Sequence, residues 1–441
     1  MSLEHFGLIF MFGGLFVGIA FGFPLGFLMS GLAIAAGFIC AGKLVFYQVV
    51  SIVGGGVMRS FVLTAVPLFI FMGSLLAWSG LTQDLYEVLS FLLRRVKGGL
   101  AYSTMILAFM ISACTGLVAP AVLLTGQISL PPMLSRGYSK KLTSGIVCAG
   151  GAFSAMIPPS VLMLIIAPEA GISSAKLFVA SLIPGALLLL FHLGFIFFLL
   201  RLHGSSIPPL SSKRLSPSIG EISWRVVKTL LPLVFLIIGV IASMFFGIAR
   251  PAEAGALGAT GALLLVFLKG KLNFLTLKRA VHDCVRVTSM ALFVILGASL
   301  FSSVYIRLGG DQIIRDFVMK LAGTSSEVAL IIMLFLIIMM GMLVDCVGTI
   351  FILTPVFLPI AGAFGFNILW VGVFIAIGLG IAHLTPPVTL AALFLKGIAP
   401  EDVRLSDIYK GILPFLIPVF LLIGLIYFCP QLVLWLPSLM G

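Results

Sequence analysis

Four places where apolar sequence is interrupted each carry side-chain oxygens beside a glycine or a proline pair. Ser112, Thr115 and Gly116 stand at the first, and Pro158, Pro159 and Ser160 at the second. Asp345, Gly348 and Thr349 mark the third, and Thr385, Pro386, Pro387 and Thr389 the fourth. Hydroxyls, a carboxylate and carbonyls freed by a helix break are ligands for a hard cation such as Na⁺. Half-helix N-termini at such breaks suit an anionic group on a small solute, with Ser112, Thr115, Thr349 and Thr385 nearest to it. Each backbone group freed inside a bilayer costs several kcal/mol unless protein, ion or water satisfies it. Four breaks at matching positions therefore call for a purpose. The plainer alternative makes the proline pairs simple kinks whose Ser and Thr neighbours satisfy the helices.

Asp345 is the one acidic residue deep inside an apolar stretch. An ionisable group there could bind a cation, carry a proton, or cap the half-helix that begins near Gly348. His383, before the second proline pair, could titrate or serve as a satisfied structural histidine. His192, in the middle of another apolar run, reads as an interhelical hydrogen-bonding residue.

Other chemistry is missing from the pattern. No nucleophile–base constellation, phosphate-binding glycine loop or metal-ligand spacing is present, so no catalytic residue and no cofactor besides a coupling ion is expected. The six cysteines (Cys40, Cys114, Cys148, Cys284, Cys346 and Cys429) show no paired spacing and read as small buried side chains. A membrane enzyme would need a reactive cluster. A channel would need a continuous polar pore rather than isolated breaks.

The elements that hold these breaks belong to a membrane protein. The chain is 61% hydrophobic and 9% charged, with mean hydropathy +1.28, and apolar runs of about 20 residues recur along it. Its net charge of +12 comes from basic residues in short loops between those runs, which excludes nucleic acid as the partner. The N-terminus lacks a basic stretch and a cleavage site, so the first apolar run reads as a retained helix.

The breaks recur in register. Pro24 maps onto Pro251, Pro67–Gly73 onto Ala291–Gly297, Ser129-Leu130-Pro131 onto Phe357-Leu358-Pro359, and Ile157-Pro158-Pro159 onto Thr385-Pro386-Pro387. The separations are 227, 224, 228 and 228 residues. Repeats with proline-broken segments at matching positions mark secondary transporters.

The first repeat covers 1–202, with a helix–break–helix hairpin at 100–133 and a broken span at 139–168. A Ser- and Pro-rich linker follows at 203–223. The second repeat covers 224–441, with its hairpin at 326–362 and its broken span at 367–398. Residues 81–97 and 311–322 are amphipathic and read as helices lying in the membrane interface. The fold class is thus all-α and polytopic, with about ten spans and two re-entrant hairpins.

Five spans per half is an odd number, so the second half is inverted. Loop charge agrees: 19 of the 26 Lys and Arg residues fall in alternate loops. The positive-inside rule makes that side cytoplasmic and sends both termini outward.

Several stretches resemble the large membrane subunit of tripartite ATP-independent periplasmic (TRAP) transporters. They include Val66-Pro67-Leu68-Phe69 with Met72-Gly73, Ser129-Leu130-Pro131 through Lys140, and Ala149-Gly150-Gly151 through Ser160. Pro251-Ala252-Glu253-Ala254, Gly341 through Asp345, and Leu384-Thr385-Pro386-Pro387-Val388 continue the likeness. The resemblance implies a Na⁺-driven importer of organic acids with an elevator motion, in a bacterial inner membrane. It also implies two partners: a small four-helix membrane subunit and a periplasmic substrate-binding protein. A stand-alone divalent-anion/Na⁺ symporter shares the repeat design and is the alternative. The chain departs from the family pattern at five positions. Leu117 stands where a small polar residue is usual, Gly378 and Gly380 where Asn and Glu are, and Thr389 and Ala391 where Gly and Asn are.

Overall fold

The computed structural model describes residues 3–203, 219–344 and 346–440. Asp345 and most of the linker, 204–218, lie outside the described residues. Every regular element among the described residues is helical. Nine helices among them are long and apolar enough to cross a membrane. Their outer faces carry large apolar side chains such as Phe235, Phe274 and Phe428, each more than three-quarters exposed, which acyl chains would cover.

The repeated prolines become repeated helix starts. Pro24 precedes helix Leu25–Ala41, and Pro251 opens helix Pro251–Leu268. A left-handed glycine, Gly22 (φ 77°) or Gly247 (φ 68°), ends the preceding turn in each half. Glu253 secures the second start by accepting the Arg250 N–H at 2.8 Å.

These two helices pack reciprocally. Leu25–Ala41 lies on the long helix Phe274–Arg307 of the other half, and Pro251–Leu268 lies on Ala65–Trp78. Glycines bring the backbones together. A Cβ on Gly297 would fall 2.6 Å from the Gly26 carbonyl oxygen, and one on Gly258 would fall 2.7 Å from Met72 Sδ. With Leu3–Ala20 and Ile219–Phe245, these helices form one packed group.

The hairpins and broken spans form the other group. The first hairpin is Gly99–Thr115 and Val118–Leu134, and the second is Ser326–Leu343 and Cys346–Ala363. The first broken span is Lys140–Ala152, a 3-10 turn Phe153–Ala155 and Val161–Glu169; the second is Ile368–Ala382 and Leu390–Lys396. Lys140 joins the halves through Asp402, 2.8 Å away. Its hydrogen bond holds the exposed Asp402 carboxyl below the ordinary carboxylate range.

Two details differ from the sequence reading. The sequence reads as an amphipathic stretch followed by a separate span at about 285–305, but the two form one helix, Phe274–Arg307, because Asn273 caps its start and no proline or turn interrupts it. Residues 44–57, for which the sequence reading names no element, form helix Leu44–Val50 running into a π-helical turn, Ser51–Val57. The interfacial stretches appear as helices Leu81–Leu92 and Gly310–Ala322. Asp84 on the first pairs with Lys271, and Trp78 beside it donates to Asp283, so the second half holds this helix in place.

Candidate functional site

The tip of the first hairpin meets the break of the first broken span. Gly116 closes helix Gly99–Thr115 at φ 62°, a conformation glycine adopts without a Cβ penalty. Its carbonyl accepts the Val161 N–H at 3.3 Å, and Ser112 Oγ donates to the Gly150 carbonyl at 2.9 Å. A Cβ at 116 would lie 2.6 Å from the Pro159 carbonyl oxygen. Backbone of the hairpin and backbone of the broken span are therefore in direct contact. The Pro158–Pro159 bond is cis, as is Pro386–Pro387.

The hydroxyls here donate to carbonyls and keep lone pairs to accept. Thr115 Oγ1 donates to Ile111 O (3.0 Å), with Leu117 O also near at 3.3 Å, and Ser160 Oγ donates to Ala155 O (3.1 Å). Ser112 and Ser160 are fully buried and Thr115 nearly so. Such oxygens suit a desolvated cation, because their protons already point elsewhere.

The second half repeats the meeting with different groups. Gly341 of the second hairpin faces Ala382 at the end of helix Ile368–Ala382, where a Cβ would lie 2.7 Å from the alanine Cβ and 4.0 Å from Thr349 Oγ1. Cys346 Sγ lies 3.2 Å from His383 Nε2. Thr385 Oγ1 donates to Ile381 O at 2.8 Å. Gly348 faces the side chain of Met29, which belongs to the other packed group, with a Cβ reaching 3.2 Å from its methyl. Thr389 Oγ1 is fully buried and has no hydrogen-bond partner among the described residues. A buried orphan hydroxyl costs about 1–3 kcal/mol unless something satisfies it. The two breaks come near one another where a Cβ on Gly380 would stand 3.7 Å from Ala152 O.

The structure thus groups Ser112, Thr115, Gly116, Pro158 and Ser160 at one tip. At the other it brings Gly341 and Cys346 against Ala382 and His383, with Thr349 beside Gly341, while Thr385, Pro386 and Thr389 follow in the break after His383 and Gly348 faces Met29. The family-pattern departures have a packing counterpart. The space beside Gly378 is filled by Ile337 of the second hairpin, 2.9 Å from a built Cβ, so an apolar contact stands there. His192 Nδ1 bonds Leu188 O of its own helix at 2.8 Å, and its ring packs against those of Phe153 and Phe415 from other elements.

Sequence reasoning missed a crevice of about 740 Å³ between the two packed groups. Ser51 and Ser60, and Ser299, Ser302 and Ser303 of the long helix, line one wall. Ile165, Pro168 and Glu169 of the broken span and Phe351 and Pro355 of the second hairpin line the other. Ser302 Oγ donates across it to Phe351 O at 2.6 Å. The available signals were Glu169, which closes an apolar half-helix, and the serine spacing at 299, 302 and 303, which puts the three on one helical face.

The family model of the tripartite ATP-independent periplasmic transporter, DctM component, matches residues 12–432. The chain belongs to this TRAP transporter family. The TRAP permease is 28% identical to the sialic acid TRAP transporter permease protein SiaT of Haemophilus influenzae, over 86% of this chain and 60% of that protein. It therefore spans about 60% of that relative's length. It is 25% identical to the sialic acid TRAP transporter large permease protein SiaM of Vibrio cholerae, over 97% of this chain and 99% of that one. It matches the 2,3-diketo-L-gulonate TRAP transporter large permease protein YiaN of Escherichia coli at 25%, over 97% and 98%. These relatives are transport permeases, not enzymes. Among solved structures, the Alcanivorax borkumensis YdaH transporter has the same fold at a TM-score of 0.58 and 14% identity, covering 90% of this chain and 88% of that one. The TRAP permease is a multi-pass membrane protein.

Proposed function

We propose that this TRAP permease is the membrane subunit of a Na⁺-coupled importer of an organic acid or related small solute. A periplasmic substrate-binding protein delivers the solute, and a small four-helix membrane subunit completes the assembly in a bacterial inner membrane. Both termini face the periplasm.

The observation that carries this reading is the tip-to-break contact in each half: Gly116 on Val161, and Gly341 against Ala382. Cations bound at such contacts would fasten each hairpin to its broken span, leaving a rigid unit that moves whole. The glycine-packed group acts as the frame, with the two interfacial helices bracing it against the bilayer. The serine-lined crevice between frame and moving unit is the solute route on the side with few basic residues. Sialic acid and 2,3-diketo-L-gulonate, named for the relatives, each carry a carboxylate, which supports an acid as the solute.

Uptake by the reconstituted assembly tests the proposal. Proteoliposomes holding both membrane subunits would be given binding protein and a panel of labelled sugar acids and C4-dicarboxylates. Accumulation under an imposed Na⁺ gradient, and only with binding protein, is expected. Equal uptake under a proton gradient in Na⁺-free buffer would contradict Na⁺ coupling. Uptake without binding protein would favour the stand-alone symporter.

A further inference from the structure

A second cavity, of about 350 Å³, lies away from the tips, among loop and helix ends of the basic face. Its rim is polar, with Ser139, Lys141 and Lys410, and its walls are Leu142, Leu199, Leu200, Pro414 and Phe415. The two lysines come from opposite halves of the chain. A backbone crossing sets them side by side. A Cβ on Gly145 would lie 2.3 Å from the Gly411 carbonyl oxygen, and a Cβ on Gly411 would lie 2.1 Å from the Lys141 carbonyl oxygen. Helices Lys140–Ala152 and Leu405–Ile412 therefore touch backbone to backbone, one residue from Lys410 and at Lys141 itself.

The neighbouring charges are already engaged. Lys140 pairs with Asp402, Asp407 accepts the Arg404 N–H at 3.3 Å, and Arg201 stacks over Phe197 at 5.0 Å. Among the described residues neither Lys141 nor Lys410 makes an ion pair, and both are exposed. The site is two cations above an apolar slot, at the level where spanning helices end. A free inorganic anion would use the cations and leave the slot empty. An acyl chain alone would use the slot and leave the cations unpaired.

We infer that this cavity seats an anionic phospholipid of the leaflet that meets the basic face, its phosphate between Lys141 and Lys410 and an acyl chain along Leu142, Leu199 and Phe415. The lipid bridges helices from both halves at their crossing and acts as a strut for the Gly145–Gly411 contact. Basic pockets between spanning helices recognise lipid headgroups by this combination of charge and apolar wall.

Native mass spectrometry of the purified full chain in detergent tests the site, with phosphatidylglycerol, phosphatidylethanolamine or inorganic phosphate added in turn. The wild type is expected to retain phosphatidylglycerol in preference to phosphatidylethanolamine, and to lose none of it to millimolar inorganic phosphate. Lys141→Gln with Lys410→Gln should weaken phosphatidylglycerol binding about thirtyfold, from about 1 kcal/mol for each lysine. Leu199→Trp, which fills the slot and spares both lysines, should weaken it as well. Arg94→Gln with Arg95→Gln removes the same charge elsewhere and should leave it unchanged. Equal retention of the two phospholipids, equal loss in the Arg94/Arg95 variant, or full retention in both cavity variants would overturn the inference.

Discussion

The Gly116 carbonyl accepts the Val161 N–H at 3.3 Å, so the turn of the first hairpin is hydrogen-bonded to the residue that restarts the first broken span. Neither residue could do this alone. Gly116 supplies a left-handed turn with no Cβ, and the preceding Pro158–Pro159 pair ends the earlier helix and frees the Val161 N–H from it.

Gly116→Ala combines two penalties. The left-handed conformation costs a non-glycine residue about 1–2 kcal/mol, and the new methyl would overlap the Pro159 carbonyl oxygen. Thermal unfolding should fall and uptake should be lost. Gly137→Ala, at φ 81° with open space around it, carries only the first penalty and should transport normally. Equal behaviour of the two variants in unfolding and uptake assays would show that the tip contact is unimportant.

Thr389→Val separates a ligand oxygen from a structural one. Replacing a buried hydroxyl that has no described partner removes an unsatisfied group of about 1–3 kcal/mol, so Na⁺-free stability should hold or rise. The Na⁺ concentration for half-maximal uptake should rise at the same time. A loss of Na⁺-free stability with unchanged Na⁺ activation would assign Thr389 to packing instead.

The repeat and the site were legible to different depths. Pro24 and Pro251 were visible as helix starts because proline fixes φ and lacks an N–H, and the structure uses both that way. The proline pairs marked the breaks for the same reason. The continuous helix Phe274–Arg307 was less legible, since its amphipathic and apolar parts have different composition and nothing local says that they join. The crevice was illegible because Ser51, Glu169 and Ser302 come from three distant segments, and only tertiary packing brings them together. Carbonyl ligands are hidden from sequence altogether, because every residue carries one.

Asp345→Asn tests the one acidic residue that the sequence sets deep inside an apolar stretch. A carboxylate at the centre of a bilayer costs at least about 2.5 kcal/mol on insertion scales unless a cation or a cap offsets it. If it supports a Na⁺ site, the Asn variant needs more Na⁺ for half-maximal uptake, and Ser160→Ala weakens a separate site. If it only caps, Asn serves equally well and the activation curve stays in place.

Ser302 and Phe351 report on the motion. Their hydrogen bond joins the frame helix to the second hairpin at 2.6 Å. Cysteines at both positions, in a background without the native cysteines, should be bridged by a short bifunctional thiol reagent. The bridged protein is expected to stop transporting while still responding to Na⁺, and a cleavable reagent should allow recovery on reduction. Full uptake by the bridged protein would count against a moving hairpin unit.

The most direct measurement is cation-specific thermal stabilisation of the purified chain, which needs neither solute nor partner. Na⁺ bound at the tip-to-break contacts should raise the unfolding temperature saturably, with a gain of about 2.7 kcal/mol at a hundredfold excess over Kd. Potassium and choline at the same ionic strength should not. Ser112→Ala with Ser160→Ala should lower Na⁺-free stability by about 1 kcal/mol for each buried hydrogen bond removed, and should in addition reduce the further stabilisation that Na⁺ gives. If Na⁺ stabilises no better than K⁺, or the double variant responds as the wild type does, the cation sites are not at these tips.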